Sequence, residues 1–394
     1  MPHRRSPLMF LFVCVFVDMI GYGIVLPLLP LFVERQAAGG TVVGLLSALY
    51  AGVQTLGGPL LSGLSDRFGR RPVLLLSLLG TSAAYALLGL ADTIWLLCAA
   101  IVLDGVTGGN LSIAQAFIAD STPPERRARG FGLLGAAFGL GLMVGPLIGG
   151  TLSQFSLSAP AFAAAAIALA NVLLGLCILP ESLPPERRVS APLRSYNPFA
   201  QLASTLRAGP TRGLLLTVLL LNLAFSGLQS NFPIFSGARF GWDAQANGYF
   251  FAFVGVCAVL TQAALLGPAQ ARFGERQLVL AGIGLMAGNL LLVATLGQDW
   301  MLFPAVALLA LGSNLAIPSL ASLLSHTAAP EAQGRLMGVQ QSVLNAALIG
   351  GPLLAGLSFD LIGPSAPYAL GGLLAVCALA VAYRSTAGSR RVYA

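Results

Sequence analysis

From Leu8 to Arg384 the chain alternates long apolar runs with short polar ones. Twelve runs are long enough to cross a bilayer: 8–33, 42–65, 72–91, 94–118, 129–153, 159–179, 211–235, 244–266, 277–296, 300–326, 334–359 and 366–384. A crossing helix needs about 20 predominantly apolar residues. Each run is continuously apolar, so these are helices and not the alternating segments of a membrane barrel. The pattern predicts an all-α polytopic membrane protein with twelve transmembrane helices. The longest polar interval opens Pro180-Glu-Ser-Leu-Pro-Pro-Glu-Arg-Arg188 and separates six runs from six. It divides the chain into a six-helix bundle at 1–180, a linker at 181–210 and a second six-helix bundle at 211–394.

Composition agrees with that reading. Of 394 residues, 56% are hydrophobic and 9% charged, where soluble domains carry about 25% charge. The 47 glycines and 24 prolines suit membrane helices, which tolerate both and use glycine for close packing. The first run is too long for a signal-peptide core and is read as retained.

The charges that remain have an orientation. There is no lysine, and all 21 basic residues are arginines. With the N-terminus in the cytoplasm, nineteen arginines fall inside and only Arg35 and Arg239 outside. That asymmetry places both termini in the cytoplasm, in a cytoplasmic (inner) membrane. It also accounts for the net charge of +7 through topology and anionic lipid headgroups. The arginines sit in short separate loops, which argues against nucleic acid as a partner.

The two halves resemble each other at a nearly constant offset. Arg67-Phe-Gly-Arg-Arg71 returns as Arg272-Phe-Gly-Glu-Arg276, offset 205. Pro124-Glu125 with Arg129 returns as Pro330-Glu331 with Arg335, offset 206. Gly145-Pro-Leu-Ile-Gly-Gly150 returns as Gly351-Pro-Leu-Leu-Ala-Gly356, offset 206. Six runs per half makes this a parallel repeat, the architecture of a carrier that rocks about a central site. A monomer is expected to suffice. No Walker loop, metal-ligand spacing or covalent nucleophile is present, so neither an enzyme nor a cofactor is expected. The five cysteines all lie within apolar runs and read as small apolar packing groups.

Two carboxylates lie deep in the apolar runs, Asp18 and Asp104. Burying a carboxylate there costs roughly 3 kcal/mol on insertion scales, and no basic residue lies at that depth. The economical solution is protonation. A group that is neutral when occluded and ionised when wet carries a proton, and it also attracts a lipophilic cation. The bland alternative is an aspartate hydrogen-bonded into the bundle and permanently neutral. Polar and aromatic neighbours mark a candidate substrate surface. Asp104, Gly108, Leu111 and Gln115 share a helical face, Asn222 and Gln229 face together with Phe225 close by, Asn314 is on the tenth run, and Tyr22 follows Asp18 by four. Each is equally able to glue helices together. His326 reads as a cap at the end of the tenth run.

Between the second and third runs stands Gly63-Leu-Ser-Asp66-Arg67-Phe-Gly69-Arg70-Arg71. Gly69 permits a turn with positive φ. Asp66 can accept hydrogen bonds from a helix N-terminus, and Asp120, at the end of the fourth run, can pair with Arg70 or Arg71. These charges are expected to latch the cytoplasmic side. The loop resembles the signature of the major facilitator superfamily, and the resemblance runs over about 8–384. It implies a charge relay between this loop and the end of the fourth run, and a cavity lined by runs one, four, seven and ten.

The fifth run carries Gly141-Leu-Met-Val-Gly145-Pro146-Leu-Ile-Gly149-Gly150, which clears a face for close helix approach. It is similar to the antiporter signature of the drug–proton branch. The opening Asp18-Met-Ile-Gly-Tyr-Gly-Ile-Val-Leu-Pro-Leu-Leu-Pro30 resembles tetracycline-type exporters. The resemblance therefore implies proton-coupled export of hydrophobic or cationic small molecules; an uptake carrier for a sugar or other polar metabolite is the alternative. Two positions depart from that branch. Ile101 stands where arginine is common, and 277–296 holds no acid where tetracycline exporters carry one.

Overall fold

The structure is a computed structural model that describes residues 7–25, 27–36, 38–122, 124–188, 209–327 and 333–387. Regular structure among them is helical: α1 (Pro7–Val25), α2 (Leu29–Arg35), α3 (Gly40–Phe68), α4 (Arg70–Gly89), α5 (Ile94–Thr107), α6 (Asn110–Ser121), α7 (Pro124–Leu152) and α8 (Ala159–Ile178). Then follow α9 (Gly209–Phe240), α10 (Ala244–Leu260), α11 (Leu266–Thr295), α12 (Leu302–Ser325), α13 (Gln333–Ile362) and α14 (Ala366–Ala387).

The expectation of twelve crossing helices is corrected to eleven among the described residues. The eighth and ninth expected runs lie in one helical stretch, Ala244–Thr295, of 52 residues. Residues 267–276, which separate the two runs by polarity, are helical on both sides of a kink at Gly274 where two helices meet. Gln270, Ala271, Arg272, Glu275 and Arg276 are good helix formers, and only Gly274, at φ 75°, leaves helical geometry.

Two other expected runs are interrupted. The first breaks after Val25 and resumes at Leu29, where Pro27 and Pro30 remove backbone donors. The fourth breaks at Gly108 and Gly109, between α5 and α6. Irregular backbone at membrane depth is tolerated only where it is buried in protein or lines a cavity. The face from Asp104 to Gln115 therefore does not run along one helix. Asp104 ends up on α5, and Gln115 is on the exposed side of α6.

Glycine sets the closest approach in the first half. A Cβ on Gly145 would stand 2.6 Å from the Ile20 carbonyl oxygen and 2.7 Å from the Gly23 Cα. One on Gly141 would overlap the Met19 side chain. α1 and α7 thus meet backbone to backbone over the turns that follow Asp18. The second half repeats the device on α9 and α13, where a Cβ on Gly227 would lie 2.8 Å from the Gly351 carbonyl oxygen.

The chain forms two compact units, and neither is continuous in sequence. One gathers residues 1–38, 49–196 and 242–255. In it, the end of α7 packs on the start of α10: a Cβ on Gly150 would stand 2.9 Å from the Gly248 Cα. The other gathers residues 39–48, 197–241 and 256–394. There the first turn of α3 lies on the end of α13, and Asp360 accepts the N–H groups of Gly40 and Thr41, each at 2.8 Å.

These contacts make a direct prediction for α7. Gly145→Leu should lower the thermal midpoint in detergent by about 5 °C or more, since overpacking costs about 1–3 kcal/mol. Gly135→Leu, where nothing lies within 4 Å of the added Cβ, should stay within about 2 °C of the parent. A melt followed by size-exclusion fluorescence checks both, and equal midpoints would refute the seam.

Candidate functional site: buried carboxylates and a charged helix junction

Asp18 is in α1, 7% exposed, beside an apolar cluster that includes Leu11, Cys14, Val15, Ile113 and Phe117. Its partner comes from the break in the fourth run. The Asn110 amide donates to both carboxylate oxygens, at 3.0 and 3.1 Å. Asn110 opens α6 because α5 has ended at Thr107, so the break is what presents this amide to α1. The Ser77 hydroxyl lies against both the Asn110 side-chain oxygen and the Thr107 carbonyl; its one proton serves one of them at a time. Breaking the helix frees the Thr107 carbonyl, and the Ser77 hydroxyl lies against it.

Asp104 is only half-buried. It lies within electrostatic reach of Asp18, with the Thr81 hydroxyl beside it. Tyr22 and Tyr50, also within its reach, stack with ring centroids 6.5 Å apart at 27°. Gln54 donates to the Tyr50 hydroxyl at 3.1 Å and approaches the Gly108 carbonyl at 3.5 Å. Tyr22 therefore stacks on Tyr50, and no hydrogen bond to Asp18 is recorded for it. Ile101, 7% exposed, adds no charge. The group combines two carboxylates, one buried and one partly buried, with an aromatic pair and a glutamine. Asn110, Tyr50 and Gln54 are its unforeseen members.

At the α3–α4 junction the pairing centres on one guanidinium. Arg70, 6% exposed, meets Asp66 at 2.6 Å, Asp120 at 2.8 Å and the Ser65 hydroxyl at 2.6 Å. Asp120 thus pairs with Arg70 and not with Arg71, whose guanidinium donates to the Leu176 carbonyl at 2.7 Å. Arg67 stands over the Phe68 ring, 5.2 Å from its centroid. Gly63 is half-buried in the last turns of α3.

The α4 N-terminus is capped by Glu181 and not by Asp66. Its carboxylate accepts the N–H of Arg70 at 2.9 Å and of Arg71 at 3.3 Å. Gly69, at φ 105°, is required twice: by its backbone angle and because a Cβ would overlap the Glu181 carboxylate. Glu181 stands at the start of the polar interval read as linker; no spacing ties it to a junction 111 residues earlier.

The offset of 205 carries Arg70 onto Glu275, and 206 carries Asp120 onto His326. Those two also approach, His326 Nε2 to Glu275 Oε1 at 3.8 Å. The second copy keeps a contact at the corresponding positions, with the acid and the base exchanged; it is an ion pair only when His326 is protonated.

The remaining candidates lie in the second half. Asn222 donates to the Val218 carbonyl of its own helix at 2.8 Å. Phe225 and Gln229 are half-buried on α9. Asn314 accepts from Gln262 at 2.6 Å, a partner the sequence reading missed. On α7, Gly141, Gly145 and Gly149 face α1, Pro146 stands beside Gly23, and Gly150 faces Gly248. No cluster of metal-binding side chains occurs among the described residues.

A profile of the Major Facilitator Superfamily matches residues 11–267 and 256–392. The class C tetracycline resistance protein of Escherichia coli is 38% identical over 341 residues, 86% of each chain. The class E protein of Escherichia coli is 37% identical over 87% of this chain and 85% of its own. The crystal structure of the human organic anion transporter MFSD10 (TETRAN) superposes with a TM-score of 0.71 at 25% identity, covering 97% of this chain and all of that one. The chain belongs to the Major Facilitator Superfamily, in the drug-efflux branch that holds the tetracycline resistance proteins.

Proposed function

We propose that this transporter expels hydrophobic or cationic small molecules in exchange for protons, by alternating access, and that Asp104 carries the proton. The observation that carries the reading is the contrast between the two carboxylates. Asp18 is sealed and held by Asn110, so its proton has little access. Asp104 is less completely buried than Asp18, with no basic side chain recorded among its close partners, so it is costly to ionise when occluded and easy to ionise when wet. Proton and lipophilic cation compete for it, and Tyr22 and Tyr50 offer faces that favour a cation. Loading one then requires release of the other, which couples the opposing movements.

The arginine asymmetry supports a cytoplasmic membrane with both termini inside. The Arg70 cluster then lies at the cytoplasmic surface, where it latches the helix ends in the outward-facing state. A single copy holds both halves and acts as a monomer. The relatives' resistance to tetracycline makes that compound the first to assay. The absence of an acid from 277–296 favours substrates that need no bound divalent metal.

Asp104→Asn should abolish gradient-driven transport in proteoliposomes while energy-independent exchange of substrate persists. Asparagine keeps size and some hydrogen bonding but has no titratable proton. A pH dye in detergent should record proton release on substrate binding in the parent and none in the variant. Equal release would make Asp104 structural, and transport into the alkaline compartment alongside protons would reject antiport.

Asn110→Leu leaves Asp18 buried without its donor. It should lower stability by about 1–3 kcal/mol, visible as an earlier melt; an unchanged melt would mean that the amide contributes nothing.

For the junction, Arg70→Lys should cut export from vesicles at least roughly tenfold while keeping membrane yield. A lysine ammonium lacks the planar fork that meets Ser65, Asp66 and Asp120 together. Full export by this variant would reduce the cluster to a topology signal.

A further inference from the structure

Between α10 and α11 the backbone winds through a π turn, Thr261–Leu265. Such turns are uncommon and occur frequently at functional positions. Two side chains bond across this one. The Thr261 hydroxyl donates to the Cys257 carbonyl at 2.8 Å. The Gln262 amide donates to the Asn314 side-chain oxygen at 2.6 Å. Asn314 in turn donates to the Ala310 carbonyl at 2.8 Å, which fixes the edge of its amide that faces Gln262.

Gln262 is left with an amide oxygen and a second N–H that no described residue meets, on an exposed side chain. Both lie within a stretch long and apolar enough to cross a membrane. Hydrocarbon cannot satisfy these groups, so they must face water or a ligand. The first half has a counterpart. Gln54 reaches the Gly108 carbonyl, and the offset of 206 carries Gly108 onto Asn314. The two glutamines are 208 apart, within two residues of the repeat. Gln54 is also tied to the Tyr50 hydroxyl, whereas Gln262 has no second tie among the described residues.

We propose that Gln262 contacts the exported molecule and sets specificity: a neutral subsite that pairs with a carboxamide edge, donor to acceptor and acceptor to donor. Asn314 is a positioning residue, because it holds the Gln262 amide in one orientation. A carboxamide fits because it presents one donor beside one acceptor, as Gln262 does. This deepens the efflux reading above and rests on it.

The test uses the purified full-length chain and two cationic rhodamine dyes of the same ring system, one a primary carboxamide and the other its methyl ester. Fluorescence anisotropy reads binding. The parent should prefer the carboxamide. Gln262→Leu should raise the carboxamide Kd about tenfold, as expected for losing paired hydrogen bonds, and leave the ester within about twofold. Gln262→Met, unbranched and apolar, serves if the leucine variant fails to melt cooperatively. Equal losses for both dyes, or a retained preference, would overturn the subsite and leave the efflux reading standing. If the parent binds neither dye and expels neither from vesicles, the efflux reading falls and the subsite with it.

Discussion

Within a bilayer each polar group must find its partner inside the protein, and the Asp18–Asn110 contact shows what that demands of the backbone. A carboxylate in α1 needs a donor from a helix that has none to spare, because an intact helix uses its own amides. The fourth crossing meets the demand by stopping at Gly108 and restarting at Asn110, so that an asparagine at a helix start reaches across. The Ser77 hydroxyl then lies between the Thr107 carbonyl and the Asn110 side-chain oxygen and donates to one of them at a time. The cost of one buried charge is thus spread over three helices, each of which becomes hard to move alone.

The glycines of α7 belong to the same arrangement. Gly141 and Gly145 lie against Met19, Ile20 and Gly23, the residues that follow Asp18 in α1. The seam holds α1 at a fixed depth, and the asparagine contact needs that depth to within a few tenths of an ångström. The glycine run of α7, a packing motif, therefore also acts on the carboxylate. At the α3–α4 junction the logic is similar but wetter: one buried guanidinium holds two carboxylates and a hydroxyl, and Glu181 supplies the acceptor that the α4 N-terminus lacks.

What could be read from the chain and what could not divide along physical lines. Membrane helices, the internal repeat, the loop motif and the glycine face are local or periodic, and they are legible because hydropathy and spacing record them. Asp18 and Asp104 stand out because charge is rare in apolar runs. Three features were hidden. The joining of the eighth and ninth runs across a kink at Gly274 was hidden because polar residues with good helix propensity look like a loop inside an apolar chain. The break in the fourth run was hidden because Gly108 and Gly109 stand among many helical glycines. Asn110, Glu181 and Gln262 were hidden because their partners are far away in sequence, 92 residues for Asn110 and Asp18, and nothing local marks a long-range hydrogen bond.

The interleaving of the two units bears on how the chain is made. The start of α10 packs against Gly150 of α7, yet 98 residues separate Gly150 from Gly248. At about 5–20 residues per second of synthesis, roughly 5–20 s pass before that surface can be covered. The end of α3 nearest Gly40 waits longer still, since Asp360 is made 320 residues later. Neither unit can finish folding on the ribosome from its own half of the chain. A truncated nascent product ending in the linker would leave the end of α7 at Gly150 uncovered, open to any neighbouring helix in the membrane.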